Sequence, residues 1–149
     1  MKKVIAFYLS VVAVGFFLTW GGEAVAANEP QLHIRFNSTN VAGMLQDGAK
    51  IAEGRITLHS DITGFQVWSN ALQAGSQPNR YVASGTENAN HKLYFRLEKE
   101  GWLPDTRSGK GIVYRGSDNS VTFNILADGN QNVAADSYDL QISGNGLLE

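Results

Sequence analysis

The stretch that decides the fold is Ala135-Asp136-Ser137-Tyr138-Asp139-Leu140-Gln141-Ile142-Ser143, followed by Gly144-Asn145-Gly146-Leu147-Leu148-Glu149. Tyr138, Leu140 and Ile142 alternate with polar residues. The spacing predicts a strand over 137–143 with these three side chains on one face. The residues after Ser143 hold two glycines and no alternation, so a further full strand is not expected. A β-sandwich ending there is expected to leave one margin of its core open.

Working back along the chain, helical periodicity is weak, and short alternating runs are broken by Gly, Asn, Asp and Ser. That is the pattern of an all-β sandwich or barrel. Leu32, Ile34 and Phe36 alternate in a first strand. Residues 37–47 read as a loop whose Val41, Met44 and Leu45 tuck inward. A longer strand over 49–60 carries Ile56 and Leu58 on one face. Ile51 falls out of phase there, and Gly54 is the expected bulge. The strand over 65–70 presents Phe65 and Val67 to one side and Gln66 and Trp68 to the other; alternation alone does not say which is core. A short strand over 80–84 follows. In "HKLYFRLE" Leu93, Phe95 and Leu97 point in, while Lys92, Tyr94, Arg96 and Glu98 point out. Residues 100–111 read as a long loop and 112–114 as a short edge strand. Val121, Phe123 and Ile125 restore alternation before a turn at 128–132. The Asp136-Ser137-Tyr138 run resembles the corner that opens the sixth strand of immunoglobulin-like folds, where the Tyr hydroxyl bonds back to loop backbone. The expected fold is all-β, an immunoglobulin-like sandwich lacking its final strand.

Composition narrows the setting. Lys2 and Lys3, an apolar run over 4–20 and a small-x-small Ala24-Val25-Ala26 read in that order as a signal peptide over 1–26. One domain over 27–149 is then expected, with export through the periplasm. Cysteine is absent, which excludes a disulfide framework, a thiolate metal site and a cysteine nucleophile. Removing Lys2, Lys3 and Glu23 moves the formal charge from −2 to −3, and basic residues form no run, which argues against nucleic acid.

No constellation of residues points to catalysis. His33, His59 and His91 lack metal spacing and read as surface residues. His59-Ser60-Asp61 has the letters of a triad, but adjacent strand residues face opposite ways. Residues 128–132 lack the acidic spacing of a calcium loop and read as a tight turn. Asn37-Ser38-Thr39 fits a glycosylation acceptor on three letters alone. No enzyme activity, cofactor or metal is expected. Lys92, Tyr94 and Arg96 form an exposed stripe whose composition suits receptor binding.

Several runs in order resemble one family. They are "LQDGAKIAEGRI" at 45–56, "TGFQVW" at 63–68, "RYV" at 80–82, "GWLP" at 101–104, "GKG" at 109–111, "ADGNQN" at 127–132, and Tyr138. Together they resemble the AfaD/DraD/SafD/SefD-like invasin-type tip subunits of chaperone–usher fimbriae, most of all the SafD-like members. The resemblance implies a fimbrial tip adhesin or invasin completed by donor-strand complementation. Its implied partners are a periplasmic chaperone, an outer-membrane usher, a neighbouring pilin donating its N-terminal strand, and a host cell-surface receptor. AfaD-like members carry two cysteines near the positions of Leu58 and Gly146, and this chain has neither. The expected groove walls are Leu32, Ile34 and Phe36 on one side and Tyr138, Leu140 and Ile142 on the other. About five residues precede Leu32 in the mature chain, so the subunit is expected to accept a strand without passing one on; the rival assignment makes 32–36 the donor. A minor structural pilin without a receptor shares all these features. A small secreted hydrolase or inhibitor would need a convergent polar site.

Overall fold

The computed structural model describes residues 29–37 and 42–148. It also describes the backbone of four short N-terminal strands, β1 (Ala6–Tyr8), β2 (Val12–Ala13), β3 (Phe17–Trp20) and β4 (Glu23–Ala26). The rest of the expected leader, and Ser38, Thr39 and Val41, lie outside the described residues.

Two sheets face each other. The first runs in the order β5 (Gln31–Phe36), β7 (Lys50–Thr57), β14 (Ser120–Ala127), β11 (Lys92–Glu98), β10 (Arg80–Ser84), β9 (Leu72–Gln73). The second runs β12 (Trp102–Pro104), β13 (Ile112–Arg115), β8 (Gly64–Ser69), β17 (Ile142–Leu147), β2. Apart from the parallel β2, every neighbour pair in these sheets is antiparallel. A small ribbon pairs β6 (Gly43–Leu45) with β15 (Gln131–Val133). β16 (Ser137–Asp139) precedes β17 in the same run of chain.

Alternation places the core as expected. Leu93, Phe95, Leu97, Phe123 and Ile125 are fully buried from the first sheet, and Phe65, Val67 and Ile142 from the second. The open question at residues 65–70 is thereby answered: Phe65 and Val67 face the core. Trp68 is on the outer side, sheltered by the Lys110 ammonium 3.8 Å above its ring.

Four local readings are corrected. The irregularity in β7 lies at Ile51, where Ile125 pairs with Ala52 and the adjacent Leu126 with Lys50. Gly54 is needed for another reason: a Cβ there would sit 2.1 Å from Cζ of Phe123. The expected loop over 37–47 contains β6, which turns Leu45 inward but leaves Met44 70% exposed. Residues 112–115 form an interior strand, because β12 emerges from the expected long loop and takes the margin. Finally, the last strand runs past Ser143. After a break at Gln141 (φ 50°), β17 continues through both glycines and pairs along its length with β8. Gly144 and Gly146 carry the strand because side chains of the facing sheet occupy their Cβ positions. An added Cβ would lie 2.6 Å from Ile56 Cδ1 at Gly144 and 2.4 Å from Leu58 Cδ2 at Gly146. Missing alternation here records close packing.

Candidate strand-accepting groove

Of the six expected wall residues, Leu32, Ile34 and Phe36 lie on β5 at the margin of the first sheet, Ile142 lies on β17 of the second, and Tyr138 and Leu140 precede it in the chain, Tyr138 on β16. β5 ends the first sheet, with β7 as its neighbour. In the second, β8 lies on the inner side of β17. Leu32 Cδ1 is 3.4 Å from the Cβ position of Gly144, so the margins close on each other at that level. The walls are unequal. Tyr138, Leu140 and Ile142 belong to the buried core at 0% exposure, whereas Leu32, Ile34 and Phe36 are half-buried and pack against it. Residues 31–36 are registered against β7, with Leu32 opposite Ile56 and Ile34 opposite Gly54, so this segment is a strand of its own body.

The outer edge of the last strand takes up pieces of chain from outside the sandwich body. β1 runs parallel to β16, with Phe7 opposite Tyr138, and β2 runs parallel to β17, with Val12 opposite Ser143. Among the described residues the last strand has no other strand along that edge. An edge with free amides and carbonyls beside buried apolar side chains templates such pairing.

Position and rigidity of the wall come from its first residues. The Tyr138 hydroxyl donates to Ala134 O at 2.6 Å, the corner expected from sequence. Asp136 presents a solvent-inaccessible carboxylate that accepts from Glu87 N (3.0 Å), Asn88 N (3.1 Å) and Ser137 N (2.7 Å). His91 Nδ1 lies 3.0 Å away. Burial alone would raise this carboxyl; the amides of Glu87 and Ser137, then His91 and the amide of Asn88, outweigh it and hold it well below the usual range. A Cβ at Gly85 would meet Asp136 Oδ2 at 2.1 Å, so the 85–91 turn can close over the carboxylate only with glycine there. From sequence alone His91 reads as a surface residue. Nothing in local spacing could pair two residues 45 positions apart.

The expected receptor stripe divides. Tyr94 is 43% exposed. Lys92 Nζ donates to Ser84 Oγ at 2.7 Å at the surface. Arg96, expected to point freely outward, is instead committed to the fold. Its Nε donates to Glu98 Oε2 (2.7 Å) and its Nη1 to Asp47 Oδ1 (2.7 Å), Ala127 O (3.0 Å) and Asp128 Oδ1 (3.1 Å). Arg96 lowers the Asp47 carboxyl, helped by the Gly129 amide. The guanidinium thereby ties the 46–49 turn to the 128–130 turn, a contact between loops that strand alternation could not reveal. Among the described residues no group of three or more His, Cys, Asp or Glu side chains could hold a metal ion.

An all-β body of this kind, lacking its final strand and completed by a donated one, defines a chaperone–usher pilin-type subunit. The chain belongs to the Enterobacteria AfaD invasin protein family, whose model matches residues 41–144. It is 39% identical to Protein AfaD of Escherichia coli over 101 residues, 67% of this chain and 68% of that one. The crystal structure of the Salmonella SafD adhesin superposes with TM-score 0.77 at 37% identity, covering 79% of this chain and 84% of that one. The E. coli Hda pilus minor tip subunit, HdaB, follows at TM-score 0.75 and 30% identity, covering 80% and 84%. The family expected from the ordered sequence runs is the family found.

Proposed function

We propose that this protein is the strand-accepting tip subunit of a chaperone–usher surface fibre and acts there as an adhesin or invasin. One observation carries the acceptor role: the outer edge of β16 and β17 pairs with chain from outside the body, beside the buried Tyr138, Leu140 and Ile142. The relatives are an adhesin, a pilus tip subunit and an invasin-family protein, surface subunits rather than enzymes. In this reading a periplasmic chaperone covers the groove first, and the neighbouring pilin's strand replaces it at an outer-membrane usher. A donated strand burying four or five apolar side chains would contribute on the order of 10 kcal/mol before ordering costs. Because β5 is registered in its own sheet, residues 31–36 are not free to be donated onward. That supports the tip position and the acceptor assignment over its rival.

The test is to express residues 27–149 alone and with an alternating apolar strand linked to the C-terminus. The expected result is association or poor solubility for the first and a stable monomer for the second. An equally stable monomer without the added strand would overturn the reading. For receptor binding, the exposed pair Lys92 and Tyr94 is the proposed contact, with Arg96 holding the turns beneath it. Host-cell binding by the complemented monomer should fall in Lys92→Ala/Tyr94→Ala while its melting temperature stays unchanged. A folded monomer that binds no cells would favour a minor structural pilin.

A further inference from the structure

Three of the sequence runs that the groove does not use meet on the outer face of the second sheet. From "TGFQVW", Gln66 Nε2 reaches Asp105 Oδ2 (2.8 Å), Ser108 Oγ (3.0 Å) and Lys110 O (3.0 Å). From "GWLP", Leu103 lies opposite Val113, which in turn lies opposite Gln66. From "GKG", Gly111 holds φ +68°, and a Cβ there would sit 1.9 Å from Val67 O, so glycine alone lets the loop close this tightly. Asp105 N donates to Gly111 O (2.9 Å), and Asp105 Oδ1 accepts from Arg107 N (3.1 Å). The 105–111 loop is thus built in advance of any ligand, with Arg107 exposed near its tip.

What the loop presents is a shallow cleft of about 440 Å³, lined by Leu103, Thr106, Arg107, Val113 and Arg115 among others. Leu103 is 72% exposed. Arg107 and Arg115 are both exposed, and among the described residues neither forms an ion pair with a carboxylate. Asp105 also lines the cleft and feels the Arg115 charge, but its oxygens accept from Gln66, Ser108 and the loop amides. Arg80 and Arg96, by contrast, are paired with carboxylates. Two exposed guanidinium groups without an ion pair, flanking the exposed Leu103 and the half-buried Val113, fit a ligand that brings carboxylates and an aliphatic side chain together.

We propose that this face docks an acidic segment of a partner protein, its carboxylates on Arg107 and Arg115 and its aliphatic side chain on Leu103 and Val113. A glycan fits less well, because no aromatic ring lines the cleft to stack on a sugar and Trp68 is capped by Lys110. β13 and β8 separate β12 from β17, so the cleft stays open when the groove is filled. The inference therefore does not depend on the strand-accepting role.

The test is an amide-resolved NMR titration of the strand-complemented monomer with a nine-residue peptide of alternating glutamate and leucine. If the uncomplemented chain proves to be the stable monomer, it is titrated instead. Saturable shifts are expected at Leu103, Arg107, Val113 and Arg115, with a lysine–leucine peptide producing none. Arg107→Glu/Arg115→Glu should weaken binding by about tenfold or more, and Leu103→Ala by about threefold. Raising salt from about 50 to about 500 mM should weaken it several-fold. The proposal is overturned by absent saturation, by equal binding to the double charge reversal, or by 3′-sialyllactose or anionic vesicles binding these residues while the peptide does not.

Discussion

At its β12 margin the second sheet closes itself. Pro104 offers no amide, its carbonyl accepts from Thr106 N at 3.1 Å, and Trp102 N donates to Lys99 O at 3.0 Å. The strand is short, and the chain turns away at once into the 105–111 loop. At the opposite margin β17 pairs with the added β2, and β16, just before it in the chain, pairs with the added β1, both beside the buried Tyr138, Leu140 and Ile142. One sheet therefore carries a blunted edge and a receptive one. The difference lies in a proline and two turns on one side and in buried apolar side chains without a protecting turn on the other. Exposed β edges are hazards, so an edge left receptive beside a core is built to be filled.

The comparison breaks first, and with the largest effect, at the receptive wall. Leu140→Asp should abolish recovery of the strand-complemented monomer by size-exclusion chromatography, since an unpaired buried charge costs more than about 4 kcal/mol. Recovery at wild-type yield would show that this wall is not core. Next in size is the join between wall and body. Gly146 sits against Leu58, whose Cγ lies 3.8 Å from its Cβ position. Leu58→Cys/Gly146→Cys should close a disulfide, detectable by a mobility shift under non-reducing conditions, and raise stability by about 2–4 kcal/mol. This would restore the bond that the resemblance to AfaD-like members implies. Single replacement by Gly144→Val should cost about 1–3 kcal/mol in denaturant unfolding, because Ile56 and Leu32 must move.

A smaller effect is expected in the Asp136 anchor. Its carboxyl is lowered in the fold, so its contribution is fully present above the ordinary value of 3.8 and is lost as pH falls below it. Asp136→Asn should flatten the acid limb of the stability–pH curve; an unchanged limb would remove Asp136 from the account. The smallest change is expected at the blunted margin, where Leu103→Asp should leave the melting temperature of the complemented monomer within the effect of about 0.5 kcal/mol. A large loss there would erase the contrast between the two edges.

Much of this architecture is legible in alternation. Leu93, Phe95 and Leu97, and Phe123 with Ile125, announce their inward faces because a strand's side chains repeat every two residues. The Tyr138 corner is legible for a related reason, since it bonds only four residues back, to Ala134. The extent of the last strand is not, because Gly144 and Gly146 break the pattern to make room for Ile56 and Leu58 of the other sheet. Arg96 also misleads: its position on an outward face is right, but its partners Asp47 and Asp128 come from distant turns. The anchor between His91 and Asp136 and the loop built on Gln66 are hidden likewise. Each joins segments whose adjacency exists only after folding.

By itself the sequence determined the class of fold and the family, because period-two alternation and ordered short runs are local properties. Tertiary structure alone decided which edge is receptive and which is blunted, that the two walls are unequally buried, and that Arg96 is tied into ion pairs while, among the described residues, Arg107 and Arg115 form none. Those outcomes depend on which distant groups fill a Cβ position or meet a charge, and chain order does not encode such distances directly.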